Sequence, residues 1–216
     1  MNELTIHLNE LTTHLPSIIT AYSILIGAAL SPGPAVMMLI GFATTQGRTS
    51  ALIASAGIAI GSVCINLLTL IGVGLILTKI TWAMTALQLL GASYLLYLAY
   101  GAFKKVINPP AITASQTTVS SLSRCFSYGF LLQISNPKAI AFWLAITSVG
   151  AVEGAGISLT LLYIFGAFLI SFICHGAWAL LMSGSTIRQF YNKFRCGVEA
   201  CLGGFFIFSA IKLALF

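Results

Sequence analysis

The sequence contains very little charge. Only 6% of its 216 residues are charged, Asp is absent, and all four acidic residues are Glu. A soluble domain carries about 25% charged residues, because its surface must face water. Without Asp there is no Ser-His-Asp set for nucleophilic catalysis. A soluble globular fold is therefore excluded, and no enzymatic activity is expected.

Hydrophobic residues make up 58% of the chain. The net charge of +6 comes from ten Lys and Arg, which lie between apolar runs and form no basic patch. This distribution is typical of charges that orient a membrane protein, and it disfavours nucleic acid as a partner. The five cysteines include no CxxC pair, so they are interpreted as small packing residues and not as a disulfide or zinc framework.

The first sixteen residues are polar and contain no Lys or Arg, unlike the basic start of a signal peptide. The heptad NELTIHL at 2–8 is nearly repeated as NELTTHL at 9–15, which places four leucines on one helical stripe. Residues 1–16 are therefore predicted to form either a short helix at the membrane surface or a frayed start.

Six apolar segments are long enough to cross a bilayer, whose core of about 30 Å requires roughly 20 residues of helix. Helices are favoured because lipid offers the backbone no hydrogen bonds. The predicted fold is an all-α membrane protein with six transmembrane helices, over residues 17–41, 51–77, 80–102, 126–149, 157–183 and 197–215.

Lys and Arg are distributed unequally between alternate loops. One side has two, Lys79 and Lys212, and the positive-inside rule places the other side in the cytoplasm and both chain ends outside. The cytoplasmic set is Arg48, Lys104, Lys105, Arg124, Arg188, Lys193 and Arg195. A Pro- and Ser/Thr-rich linker at 103–124 separates two three-helix halves, 17–102 and 125–216.

Each half has a proline element in its first span. The elements are Ser31-Pro32-Gly33-Pro34 and Asn136-Pro137-Lys138. Because each half has an odd number of spans, the second half enters the membrane from the opposite side, and the two halves form inverted repeats. Inverted repeats with matching breaks are typical of transporters that bind their solute near the midplane.

Both proline elements are predicted to break their helices, because proline removes a hydrogen bond and clashes with the preceding turn. A break frees carbonyls, which suit an ammonium group. It also begins a new helix N-terminus, which suits an anion. A purely structural kink is the alternative.

Lys138 lies in the middle of the fourth predicted span, where insertion of a lysine into the membrane costs about 2.5–3.5 kcal/mol. It is predicted to bind a substrate carboxylate or to cap carbonyls freed at the first break; snorkelling to the interface is the third possibility. No carboxylate lies at comparable depth to pair with it, which favours an anionic ligand. Asn66, His175 and Tyr94 are further candidates that either line the path or join helices.

Four short motifs follow one another along the chain. They are Ser-Pro-Gly-Pro at 31–34, the Gly57/Gly61 pair, the stretch at 90–99 and Asn-Pro-Lys at 136–138. Together they resemble the LysE/RhtB family of amino-acid exporters, over about residues 17–215. The resemblance implies a bacterial inner-membrane permease that exports amino acids or derivatives by alternating access, driven by the proton motive force.

The sequence departs from this family in one respect. Members often carry an acidic residue early in the membrane region, whereas here the nearest acid is Glu199, at the cytoplasmic end of the sixth span. This disfavours a carboxylate proton relay and a dibasic substrate. A small neutral amino acid of the threonine or homoserine type is expected.

Other functions stay open at this point. A thiol electron carrier would need cysteines inside the first span of each half, and a metal-ion exporter would need carboxylate oxygens; the sequence offers neither. A passive channel is a further alternative. The expected partners are an amino acid and the lipid bilayer, without a cofactor or metal. Proton coupling and a homo-oligomer are compatible with this reading.

Overall fold

The computed structural model describes residues 3–77, 82–108 and 121–215. These ranges are helical and contain no strand. Their eight helices are α1 (Glu3–Leu30), α2 (Pro34–Thr45), α3 (Arg48–Leu77), α4 (Ala83–Ile107), α5 (Leu122–Ser135), α6 (Pro137–Thr147), α7 (Ile157–Leu181) and α8 (Ser185–Leu215). Lys79 and the middle of the predicted linker, residues 109–120, lie outside the described residues.

Five segments within these helices are long and apolar enough to cross a membrane: Leu8–Leu30, Arg48–Gly74, Ala83–Ile107, Ile157–Leu181 and Lys193–Leu215. The all-α prediction is confirmed, whereas the first and fourth predicted spans are each divided into two helices. The 14 residues of α5 and the 11 residues of α6 together rise roughly 37 Å, enough for one crossing if they act as a pair.

The polar N-terminal segment and the first apolar segment form one helix, α1, which runs through Pro16. The described part of the segment is thus helical and not frayed. The Glu10 carboxylate accepts a hydrogen bond from the backbone N–H of Gly156, the N-cap of α7. The partial positive charge of a helix N-terminus stabilises a carboxylate at this position.

Glycines bring α3 and α5 into backbone contact. A methyl group at Gly57 would meet the carbonyl oxygen of Phe126, and one at Gly129 would meet that of Ala54. Close approach at small residues is a common basis of helix association in membranes. Gly61 lies beside Gln133, further along both helices, so α3 and α5 are parallel.

α7 lies antiparallel to α3. Arg48 Nε donates to Ser183 Oγ at 2.8 Å near one end of the pair, and the hydroxyls of Ser62 and Ser171 are 3.2 Å apart further in. The loops before α3 and after α7 are therefore on the same side of the molecule.

α7 also lies parallel to α1. The Tyr22 hydroxyl donates to the Tyr163 carbonyl at 2.9 Å, and the Trp178 indole donates to the Ala29 carbonyl at 3.2 Å. The α1–α7 pair thus repeats the parallel arrangement of α5 and α3.

α4 and α8 lie antiparallel. Lys105 Nζ is 3.3 Å from Glu199 Oε1 near one end of the pair, and Gly91 faces Leu213 near the other. α4 continues to Ile107, so the predicted linker begins later than residue 103.

The apolar core forms two clusters that meet at a polar centre. One joins α1, α4, α6, α7, α8 and Ile65 of α3 around Ile24 and Phe206. The other joins α2, the first half of α3, α5 and the end of α7 around Leu39 and Phe42. The polar groups described next lie between them.

Candidate functional site

The first break separates α1 from α2 at residues 31–33. Pro34 is the first residue of α2, and a residue before proline is disfavoured in the helical region. Gly33 is accordingly extended, with φ −153° and ψ −167°. The carbonyls of Ser31 and Pro32 are thereby released from the helical hydrogen-bond pattern.

The second break is a single residue, Asn136, which ends α5 and caps α6. Its side chain accepts a hydrogen bond from the Lys138 backbone N–H at 3.0 Å. Asn at the N-cap followed by Pro at the first helical position is a favourable helix start. Both predicted breaks are therefore present as helix ends.

Lys138 connects the two breaks. It begins beside the second break, and its Nζ donates to the Ser31 carbonyl at 2.9 Å. A methyl group at Gly33 would lie 3.1 Å from this nitrogen, so the lack of a side chain there makes room for the ammonium group. Nζ is also 5.8 Å from the centre of the Phe142 ring. Of the predicted roles, carbonyl capping describes this contact, and carboxylate binding stays a prediction.

A second lysine, Lys105, reaches the same break. Its Nζ donates to the Pro32 carbonyl at 3.2 Å and to Glu199 Oε1 at 3.3 Å. Each of the two carbonyls next to the break therefore accepts from a lysine on another helix. Hydrogen bonds from a charged donor are worth about 1.5–3 kcal/mol each.

A cavity of about 50 Å³ lies between the breaks. Six predicted residues line it: Ser31, Gly33, Pro34, Asn136, Lys138 and His175. Phe142, Trp143 and Leu25 form part of its apolar wall. Since a cavity needs about 10–15 Å³ of such space for each water, this one has room for a few waters.

Polar side chains from three helices form a continuous chain along the cavity wall. Gln133 Nε2 donates to Ser62 Oγ at 2.8 Å, and Ser62 Oγ is 3.2 Å from Ser171 Oγ. His175 Nδ1 is 2.8 Å from the Ser171 carbonyl, so this nitrogen carries a proton. The chain gives the cavity donors and acceptors opposite the apolar wall.

The other four predicted residues do not line the cavity. Pro32 and Pro137 belong to the breaks. Tyr94 donates to the Lys138 carbonyl at 3.4 Å, behind the site. Asn66 is fully buried, and neither polar atom of its side-chain amide has a hydrogen-bond partner.

Sequence reasoning missed Lys105, Ser62 and Ser171 as site residues. Lys105 was grouped with the charges that orient the chain, because only the pairing of α4 with α8 brings it to the break. Ser62 and Ser171 are small polar residues in apolar spans, common in helix contacts. A signal for them exists only in their spacing: each lies four residues before a predicted candidate, Asn66 or His175.

Comparisons with known proteins agree on one family. A family model described as LysE type translocator matches residues 26–215. The threonine efflux protein of Escherichia coli (strain K12) is 25% identical over 203 residues, 91% of this chain and 97% of that protein. The leucine efflux protein of Salmonella choleraesuis is 26% identical over 131 residues, 59% of this chain and 61% of that protein.

An uncharacterized membrane protein of Pseudomonas aeruginosa is 28% identical over 199 residues, 86% of this chain and 88% of that protein. No solved structure matches the chain. The family match includes both breaks and every residue that lines the cavity except Leu25. The chain is a multi-pass membrane transporter and not an enzyme, and it belongs to the LysE-type translocator family.

Proposed function

We propose that this protein exports small neutral amino acids of the threonine or homoserine type, or their derivatives, across the bacterial cytoplasmic membrane. The observation that carries the proposal is the contact of Lys138 with the Ser31 carbonyl at a small cavity between two helix breaks. Relatives named for threonine and leucine efflux support a neutral amino acid as the solute.

The proposed architecture is six crossings in two inverted repeats, with both chain ends outside. α1–α2 and α5–α6 each form the broken first crossing of a half. Helix directions support this arrangement, because α3 is parallel to α5 as α7 is parallel to α1. α3 and α7 are equivalent helices of the two halves, as are α4 and α8. Both pairs are antiparallel, as a twofold axis in the membrane plane requires.

The two breaks offer complementary groups to a zwitterion. The N-terminus of α2 and the ammonium of Lys138 suit a carboxylate. The carbonyls of Ser31 and Pro32 suit an amino group. We infer that an incoming substrate carboxylate replaces the Ser31 carbonyl as the partner of Lys138. The substrate amino group then donates a hydrogen bond to the Ser31 carbonyl in place of Lys138.

The small size of the cavity supports alternating access. A volume of about 50 Å³ has room for only a few waters, less than an amino acid with its side chain requires. In this scheme the structure represents a closed state. Binding requires the breaks to separate, and non-helical residues at 31–33 give α1 and α2 a natural hinge.

The test is exchange of labelled amino acids by purified protein in lipid vesicles. Vesicles that contain the wild-type protein and are loaded with unlabelled threonine are expected to accumulate labelled threonine and homoserine, but not labelled lysine. Lys138→Met is expected to reduce exchange at least about a hundredfold, the loss of roughly 2.7 kcal/mol of charged hydrogen bonding. Lys104→Met, at an exposed lysine on the same helix as Lys105, is the control and should exchange normally.

Exchange by Lys138→Met at the wild-type rate would refute its role as the carboxylate anchor. Failure of wild-type protein to exchange any amino acid in a broad panel would refute the export function itself. Downhill flux without exchange-driven accumulation would identify a channel.

A further inference from the structure

We propose that Glu199 is the carboxylate that couples export to proton movement, and that Lys105 transmits its protonation state to the first helix break. Such coupling presupposes the export function proposed above and adds the coupling site to it. It also reverses the expectation that this chain has no suitable carboxylate, which arose because Glu199 lies near one end of its span.

Glu199 is buried with only one of its carboxylate oxygens paired. Its side chain is 7% exposed, and Oε1 is 3.3 Å from Lys105 Nζ. Oε2 is buried without a hydrogen-bond partner. A buried carboxylate is stable as an anion only when its partners satisfy it well. The half-paired carboxylate therefore has one buried oxygen, Oε2, that is open to accept a proton.

Lys105 links this carboxylate to the substrate machinery. Its ammonium group bridges Glu199 Oε1 on α8 and the Pro32 carbonyl at the break between α1 and α2. With 33% of its side chain exposed, Lys105 is also less enclosed than Glu199. A single side chain from α4 thus joins the acid and the break.

Proton binding at Glu199 Oε2 forms a neutral carboxyl group and removes the charge attraction that holds Lys105. Lys105 keeps its own charge and can turn toward water, so the Pro32 carbonyl loses its donor. The break is then free to move relative to α4 and α8. Release of the proton restores the anion, and Lys105 returns to bridge the two helices and the break.

Other charged or titratable groups around Glu199 are few among the described residues. On its own helix, Arg195 and Tyr191 lie one and two turns before it, respectively, on the same face. From α6, Lys138 interacts electrostatically with both Glu199 and Lys105. From the α1 side, the group that faces the pair is the Pro32 carbonyl, reached through Lys105. Proton binding at Glu199 therefore also alters the field at the Lys138 substrate anchor.

The experiment compares exchange with proton-driven transport in the same vesicles, using threonine as the probe. Glu199→Gln mimics the neutral acid and cannot release a proton. It is expected to exchange threonine within about twofold of wild type. Its threonine accumulation driven by an imposed pH gradient should fall at least about tenfold. Glu153→Gln, which changes an exposed carboxylate outside the site, should match wild type in both assays.

Gradient-driven accumulation by Glu199→Gln at the wild-type level would overturn the proposal while leaving the export function intact. If this variant loses exchange as well, Lys105→Met/Glu199→Gln removes the unpaired lysine together with the acid. Exchange without pH dependence in the double variant would support the proposal. Restored pH-driven accumulation, or no exchange in either variant, would overturn it. Absence of exchange in wild type would instead refute the proposed export function.

Discussion

At the scale of single residues, two lysines control the two carbonyls of one helix break. Lys138 holds the Ser31 carbonyl and Lys105 holds the Pro32 carbonyl, from different helices and with different neighbours. Lys138 faces the cavity and Lys105 faces the acid Glu199. In the proposed mechanism, the substrate displaces one of these contacts and proton binding releases the other.

Gly33 provides the space in which Lys138 meets the break. An added methyl group would lie 3.1 Å from Nζ and 3.4 Å from Cδ of Lys138, in the region where we propose that the substrate carboxylate binds. Because the far end of lysine is flexible, we expect Gly33→Ala to fold. We expect the KM for threonine exchange to rise about tenfold, or about 1.4 kcal/mol.

Gly72→Ala is the matched control, since a methyl group there meets nothing within 4 Å. Alanine is also favoured over glycine inside a helix. An unchanged KM in Gly33→Ala would show that the ammonium and the carboxylate do not share this space.

At the scale of elements, the two breaks could be predicted from the sequence because proline acts locally. Pro34 and Pro137 each begin a helix, and the residue before each leaves the helical conformation. The lengths of the two breaks could not be predicted. Asn136 closes its break with its own side chain, whereas residues 31–33 are closed by lysines from distant helices.

The contact between α3 and α5 depends on glycine. A methyl group at Gly57 would collide with the backbone carbonyl of Phe126, which cannot turn away as a side chain can. We expect Gly57→Ala to push the two helices apart and to lower the free energy of unfolding by about 1–3 kcal/mol. Thermal unfolding in detergent, followed by circular dichroism, measures the change.

Gly101→Ala in α4 serves as the comparison, because a methyl group there meets nothing within 4 Å. It should unfold at the wild-type temperature or above it. Equal melting temperatures for Gly57→Ala and Gly101→Ala would mean that the α3–α5 contact tolerates the added volume.

At the scale of the whole molecule, the two halves are interleaved. α4 lies along α8 and α3 along α5 and α7, whereas α3 and α4, neighbours in the sequence, barely touch. Membrane character and helix positions could be read from hydropathy, which is a property of each segment alone. The pairing of Lys105 with Glu199 could not, because it depends on how α4 and α8 of different halves come together.

The interleaved fold makes a specific prediction about sidedness. Arg48 and Ser183 are hydrogen-bonded, so the loops at these residues share one side, and the six-crossing arrangement places the loop at Glu153 on the other. Thr49→Cys and Glu153→Cys, both at exposed positions, test this in a protein whose five native cysteines are replaced. In intact cells, a membrane-impermeant maleimide should label Glu153→Cys and leave Thr49→Cys unlabelled until the cells are opened.

Labelling of only Thr49→Cys would invert the orientation, and with it the side from which Lys105 meets water. Labelling of both in intact cells would mean that α5 and α6 do not cross the membrane as a pair, and the inverted repeat would fail with them.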